Sequence, residues 1–158
     1  MPESKIQTVS RKDQVSTIEI YSDADNNLQG RFINARYGER VFKNLISLIL
    51  LIEDCMDSMD FPQPMHRYRK LDNVEEFNLA SRKMSYRDSE DKNIPEESMP
   101  EEWQGMRPEA TFNVRIAFRT ISGWQGEADC PETGKDIKFR SDLEFILFMV
   151  DELKLLHQ

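Results

Sequence analysis

The sequence predicts an α+β fold: an internally duplicated βββα unit whose two copies build an antiparallel sheet of about six strands, with two helices on one face. Three observations predict it. The stretches "NLQGRFINARYGERVFKNLISLI" (from Asn27) and "GWQGEADCPETGKDIKFRSDLEFI" (from Gly123) share one punctuation: Gln-Gly, a Gly eight residues beyond the first, Phe, then a long apolar run. Each stretch is preceded by a segment that alternates apolar and polar residues. Each runs into an apolar segment of helical length behind a polar residue suited to a helix cap.

At an offset of 96, Ile18 falls on Val114, Ile20 on Ile116, Gln29 on Gln125, Gly30 on Gly126 and Gly38 on Gly134. One residue is then inserted. At an offset of 97, Phe42 falls on Phe139, Ile46 on Leu143, Ile49 on Ile146, Leu50 on Leu147 and Asp54 on Asp151. In element order, "TIEIYS" and "FNVRIAFRT" are first strands, with Ile18 and Ile20 on one side, and Phe112, Val114, Ile116 and Phe118 sharing one face. "DADNN" and "TISGW" carry turn residues. "LQGRFINAR" and "WQGEADC" are second strands, and a Gly inside a strand marks a bulge or a close backbone approach. Gly38 and Gly134 punctuate a second hairpin, after which "ERVF" and "DIKF" are short third strands.

Asn44 and Ser141 are N-caps, and Ser141 with Glu144 matches the Ser-x-x-Glu capping box. The helices are expected over about Leu45–Met59, stopped by Pro62 and Pro64, and about Asp142–Leu156. "LISLILLI" and "LEFILFMV" are apolar nearly all round, so each helix is buried on more than one side. The sheet accounts for one side. The sister helix, the middle segment and a second subunit in a homodimer are the candidates for the other.

This reading divides the chain into a polar N-terminal arm (1–16), a first βββα repeat (17–59), an inserted linker, basic then acidic (60–110), and a second βββα repeat (111–158). Of the net charge of −8, the stretch from Asp88 to Glu102 supplies seven acids against Lys92. That acidity belongs to a solvated linker or to a dock for a basic partner. Upstream, Arg67, Arg69 and Lys70 flank Tyr68, a pattern that suits a plain surface loop or contacts to phosphates and bases. Trp103 repeats the triplet Trp-Gln-Gly found at Trp124. Arg67, Tyr68, Arg69, Lys70, Trp103 and Trp124 are therefore the candidate binding surface. For Trp124, whose neighbours Glu127 and Asp129 would repel phosphates, burial or a protein contact is the expectation.

Catalytic signals are scarce. There is no Gly-rich phosphate loop, no His-Glu-x-x-His and no paired Cys ligands. His66 and His157 lack a nucleophile or carboxylate at informative spacing. Asp54 and Asp151 match across the repeat, and each suits a solvated helix side or a cap on a neighbour as well as a shared site. Cys55, next to Asp54, reads as a small core residue. No cofactor, metal or catalytic residue is expected, nor a membrane span, because apolar runs such as Leu48–Ile52 are too short. Two unpaired-looking Cys and a polar start without an apolar signal core point to the cytoplasm.

"ATFNVRIAFRTISGWQGEADC" and "FRSDLEFILFMVDEL" resemble a family of small uncharacterised proteins of Gram-positive, clostridia-like bacteria. That resemblance implies no activity and no site residue. The tandem units with "QGRF" also resemble, in fold, the PUR and PC4 class of single-stranded nucleic-acid binders, which carry four strands per unit where three are counted here. The expected function is a non-catalytic binding or adaptor protein whose partner is another protein; the alternative is a single-stranded nucleic-acid binder using the open sheet face.

Overall fold

The structure is a computed structural model and describes residues 9–63, 99–120 and 123–158. Six strands form one sheet: β1 (Val15–Ser22), β2 (Gln29–Asn34), β3 (Gly38–Phe42), β4 (Ala110–Thr120), β5 (Gly123–Cys130) and β6 (Lys135–Phe139). Three helices accompany it: α1 (Arg11–Gln14), α2 (Leu45–Met59) and α3 (Asp142–Leu156). The spatial order is β3-β2-β1-β4-β5-β6, and every neighbouring pair is antiparallel. Each half is thus a three-stranded meander followed by a helix, and the first strands of the two halves, β1 and β4, lie side by side at the centre.

One face of the sheet carries the core. Ser16, Ile18 and Ile20 pair with Val114, Phe112 and Ala110, and all six are buried. Phe32, Phe42, Ala128 and Phe139 extend this layer outward, and the buried sides of both helices join it in one cluster. Both helices therefore lie on the same face. Their starts follow from the caps: Asn44 Oδ1 accepts the Ser47 N–H at 2.7 Å, and Ser141 Oγ accepts the Glu144 N–H at 3.2 Å.

The Gln-Gly motif has a structural cause in both halves. Gly30 pairs with Ile20 on one side and Phe42 on the other; Gly126 pairs with Ile116 and Phe139. The register shifts at Ile20/Ser22 and, at the matching place, at Ile116/Phe118. These bulges press the first strand onto the glycine. A Cβ on Gly30 would sit 1.9 Å from the Glu19 carbonyl oxygen, and one on Gly126 would sit 2.0 Å from that of Arg115.

One expectation needs correction. Phe118 does not share the face of Phe112, Val114 and Ile116: it is 56% exposed, because the bulge inserts one residue and inverts the alternation beyond Ile116. Arg119 takes the inward place. Before β1, Ser10 and Asp13 form a capping box that starts the one-turn α1. The acidic stretch from Asp88 to Glu102, expected as a solvated linker, lies outside the described residues up to 98, and Glu101–Trp103 is a 3-10 turn.

Candidate functional site

The two helices present equivalent apolar residues to solvent. In α2 the inward side is Leu48, Leu51, Ile52 and Cys55; in α3 it is Phe145, Phe148, Met149 and Leu153. On the outward side Ile46 is 71% and Leu50 41% exposed, while Leu143 is 63% and Leu147 50% exposed. Ile46 matches Leu143 and Leu50 matches Leu147 across the two halves. Each pair is spaced i, i+4, so its members are neighbours on the helix surface, with half-buried Ile49 or Ile146 alongside. Leu155, near the end of α3, is 42% exposed.

The opposite sheet face is polar and neutralises itself. Arg31 lies 2.9 Å from Glu19 and 3.0 Å from Glu39; Arg115 lies 3.0 Å from Glu127. The hydrogen bond from Arg115 holds the Glu127 carboxyl below its ordinary value. Burial would lower the Arg31 guanidinium, but the hydrogen bond to Glu19 together with the charges of Glu19 and Glu39 outweighs it, and the net shift is upward. Glu19 and Arg31 correspond to Arg115 and Glu127, so the two halves carry the same pair with its signs exchanged.

A polar cluster around the buried Arg119 joins the halves. Arg119 donates from Nε to the Pro62 carbonyl at 2.6 Å and from Nη1 to Asp57 at 2.7 Å and Glu53 at 3.3 Å. The Trp124 indole N–H donates to the other Glu53 oxygen. Desolvation lowers the Arg119 pKa, and the charge of Glu53 opposes that shift. At the matching place of the other half stands Asp23, 3.5 Å from Nδ1 of His157, whose Nε2 is 3.1 Å from Glu109. Asp23, Glu109 and His157 are the one group among the described residues with three metal-ligating atoms close together, all within 4.8 Å. Both ring nitrogens already face carboxylates, so the geometry is that of a polar clasp between the end of α3 and the residues next to β1 and β4.

A cavity of about 20 Å³ lies among Ser16, Phe32, Cys55, Met56, Val114 and Ile116. That is space for one water. Two of its lining residues, Ser16 and Cys55, stand where the other half has Phe112 and Glu152. Cys55 is buried and its thiol is pushed up to about 12 by desolvation; burial also raises Cys130. Neither is a thiolate near neutral pH, which a nucleophile would require.

Of the residues expected at a binding surface, Arg67, Tyr68, Arg69 and Lys70 lie outside the described residues, as does His66. Trp103 is buried and stacks on Tyr21, centroids 5.1 Å apart and planes 7° from parallel. Trp124 is 1% exposed. Asp54 and Asp151 share no site: Asp54 accepts the Tyr37 hydroxyl and Asp151 is exposed. Sequence reasoning missed Arg119, Glu53 and Asp57. Gly126 marks the bulge in the sequence, but which neighbour the bulge turns inward is invisible without the strand pairing. No family model, no curated protein and no solved structure matches this chain. No helix among the described residues is long and apolar enough to cross a membrane.

Proposed function

We propose that this chain is a non-catalytic binding or adaptor protein whose partner is another protein, with the outer face of the helix layer as the docking surface. The observation that carries the reading is the matched exposure of Ile46 and Leu50 on α2 and of Leu143 and Leu147 on α3. Single exposed leucines are ordinary on a protein surface. Four large aliphatic side chains at equivalent places of two helices form a patterned apolar surface, and such surfaces mark sites of association. The competing reading, a single-stranded nucleic-acid binder, needs open aromatic faces for base stacking. Trp103 and Trp124 are both enclosed, and acidic Glu19, Glu39, Glu127 and Asp129 lie among the cations of the open face.

The test is photo-crosslinking from single unnatural residues placed at Ile46, at Leu143 and, as a control on the open sheet face, at exposed Lys138. Protein adducts from the two helix positions and none from Lys138 are the expected result. Adducts from Lys138 alone would move the docking surface to the sheet, and no adduct from any position would remove the reading.

A further inference from the structure

The identity of that partner can be argued further, on the assumption that the helix layer is a docking surface. We infer that its occupant is a second copy of this chain, in a symmetric homodimer packed helix layer to helix layer. Self-association through a twofold axis needs a surface that complements itself. Here the two helices carry the same aliphatic types at the same turns, Ile46 and Leu50 on one, Leu143 and Leu147 on the other. A copy turned over onto this layer meets helix with helix and aliphatic with aliphatic at both places.

The amount of surface fits. With Leu155, five side chains exposed by 41–71% are available. They offer on the order of 450 Å² of apolar surface, which matches the apolar share of one side of a standard interface of about 800 Å² per partner. The sheet edges offer no comparable route. The edge strands β3 and β6 have five residues each, and Glu39, Arg40, Lys135, Asp136 and Lys138 interrupt them with charge. Short, charged edges resist strand addition.

Charge supplies a further discriminator. Each copy carries a net charge of −8, so two copies repel at long range and must be held by apolar contact. Salt screens that repulsion, whereas it would weaken the docking of an oppositely charged partner. Dimerisation is therefore expected to tighten as salt rises.

The experiment is sedimentation equilibrium of the full chain at roughly 1–100 µM in low salt and in roughly 0.5 M NaCl, with the double variant Ile46→Glu, Leu143→Glu beside it. The wild-type chain of 18.6 kDa is expected at twice that mass, with tighter association in high salt. The variant is expected to lose about 100-fold or more in dimer affinity, as central apolar anchors do. Because both positions are more than 60% exposed, its circular-dichroism melt at low concentration should match wild type. A wild-type chain that stays monomeric throughout overturns the proposal, as does a variant that still dimerises. A monomer whose variant melts earlier also overturns it, since the surface is then covered from within the chain. A monomer whose Ile46 still crosslinks to a different protein sinks the dimer and leaves the protein-binding reading standing.

Discussion

Arg119 and Asp57 meet at 2.7 Å although 62 residues separate them and they belong to different halves of the fold. Arg119 closes the first strand of the second half, and Asp57 lies near the end of the helix of the first. The helix of the second half reaches back in the same manner, with His157 beside Asp23. Each half thus uses the end of its helix to reach the other half's first strand or the residue just beyond it. The Arg119 side chain is buried, so removing it takes its hydrogen bonds from the Pro62 carbonyl, Asp57 and Glu53. Arg119→Ala is expected to cost about 1–3 kcal/mol in urea-melt stability. A loss below about 1 kcal/mol would show that the cluster does not hold the halves together.

Trp124 should behave as a core residue with one polar tether. Trp124→Ala is expected to cost about 3–5 kcal/mol. Trp124→Phe keeps most of the ring but removes the donor to Glu53, with an expected cost of about 1–3 kcal/mol. Native tryptophan emission should be blue-shifted and should move red on unfolding. A wild-type melting temperature in Trp124→Ala would contradict the burial.

The Gln-Gly motif predicts two equivalent lesions. Gly30→Ala and Gly126→Ala each push a Cβ to about 2 Å from a carbonyl oxygen of the bulged strand, and neither backbone can yield without disturbing the bulge. Overpacking of this kind typically costs about 1–3 kcal/mol, occasionally more. Chemical denaturation of the two variants should show losses of similar size. A neutral result at either position would mean that the close approach is not rigid there.

Cys55 predicts how stability responds to alkali. Its thiol is raised from the ordinary value of 9.0 to about 12 by burial. The folded state therefore keeps its proton where the unfolded state has lost it. This contribution is fully present below pH 9 and is lost as pH rises through 12. Cys55→Val should flatten the decline in stability between those limits. An unchanged alkaline limb in the variant would assign the decline to other groups. In the native protein both cysteines should resist alkylation at pH 8, and both should react in urea.

The ion pairs on the open sheet face predict tolerance. Glu19–Arg31 and Arg115–Glu127 are partly exposed pairs at equivalent places with opposite polarity. The exchange Glu19→Arg with Arg31→Glu gives the first half the polarity of the second. It should change stability by no more than about 1 kcal/mol, the scale of surface pairs, whereas Glu19→Arg alone should cost more because it faces Arg31 with a like charge. Equal costs for the single and double variants would show that the pair does not interact.

The sequence by itself determined the elements and their order. Alternation of Ile18 with Ile20, and of Phe112 with Val114 and Ile116, reports a strand with one buried face. Asn44 and Ser141 report helix starts, because a cap is a local hydrogen bond that one short segment satisfies. The alternating segments, turn residues and caps were enough to foresee an α+β fold with one antiparallel sheet of about six strands. Only the tertiary structure decided what depends on pairing across the chain. The bulge opposite Gly126 turns Phe118 out and Arg119 in, because one inserted residue inverts a period-two pattern. Glu53 and Asp57 look like solvated helix acids until β4 is laid beside them, and Trp103 looks like a site residue until Tyr21 takes its ring. The outward-facing Ile46, Leu50, Leu143 and Leu147 sit in runs so apolar that composition marks no side of the helix as outer. The sheet chose that side, by taking the face that Leu48, Leu51, Phe145 and Phe148 present and leaving the other face outward.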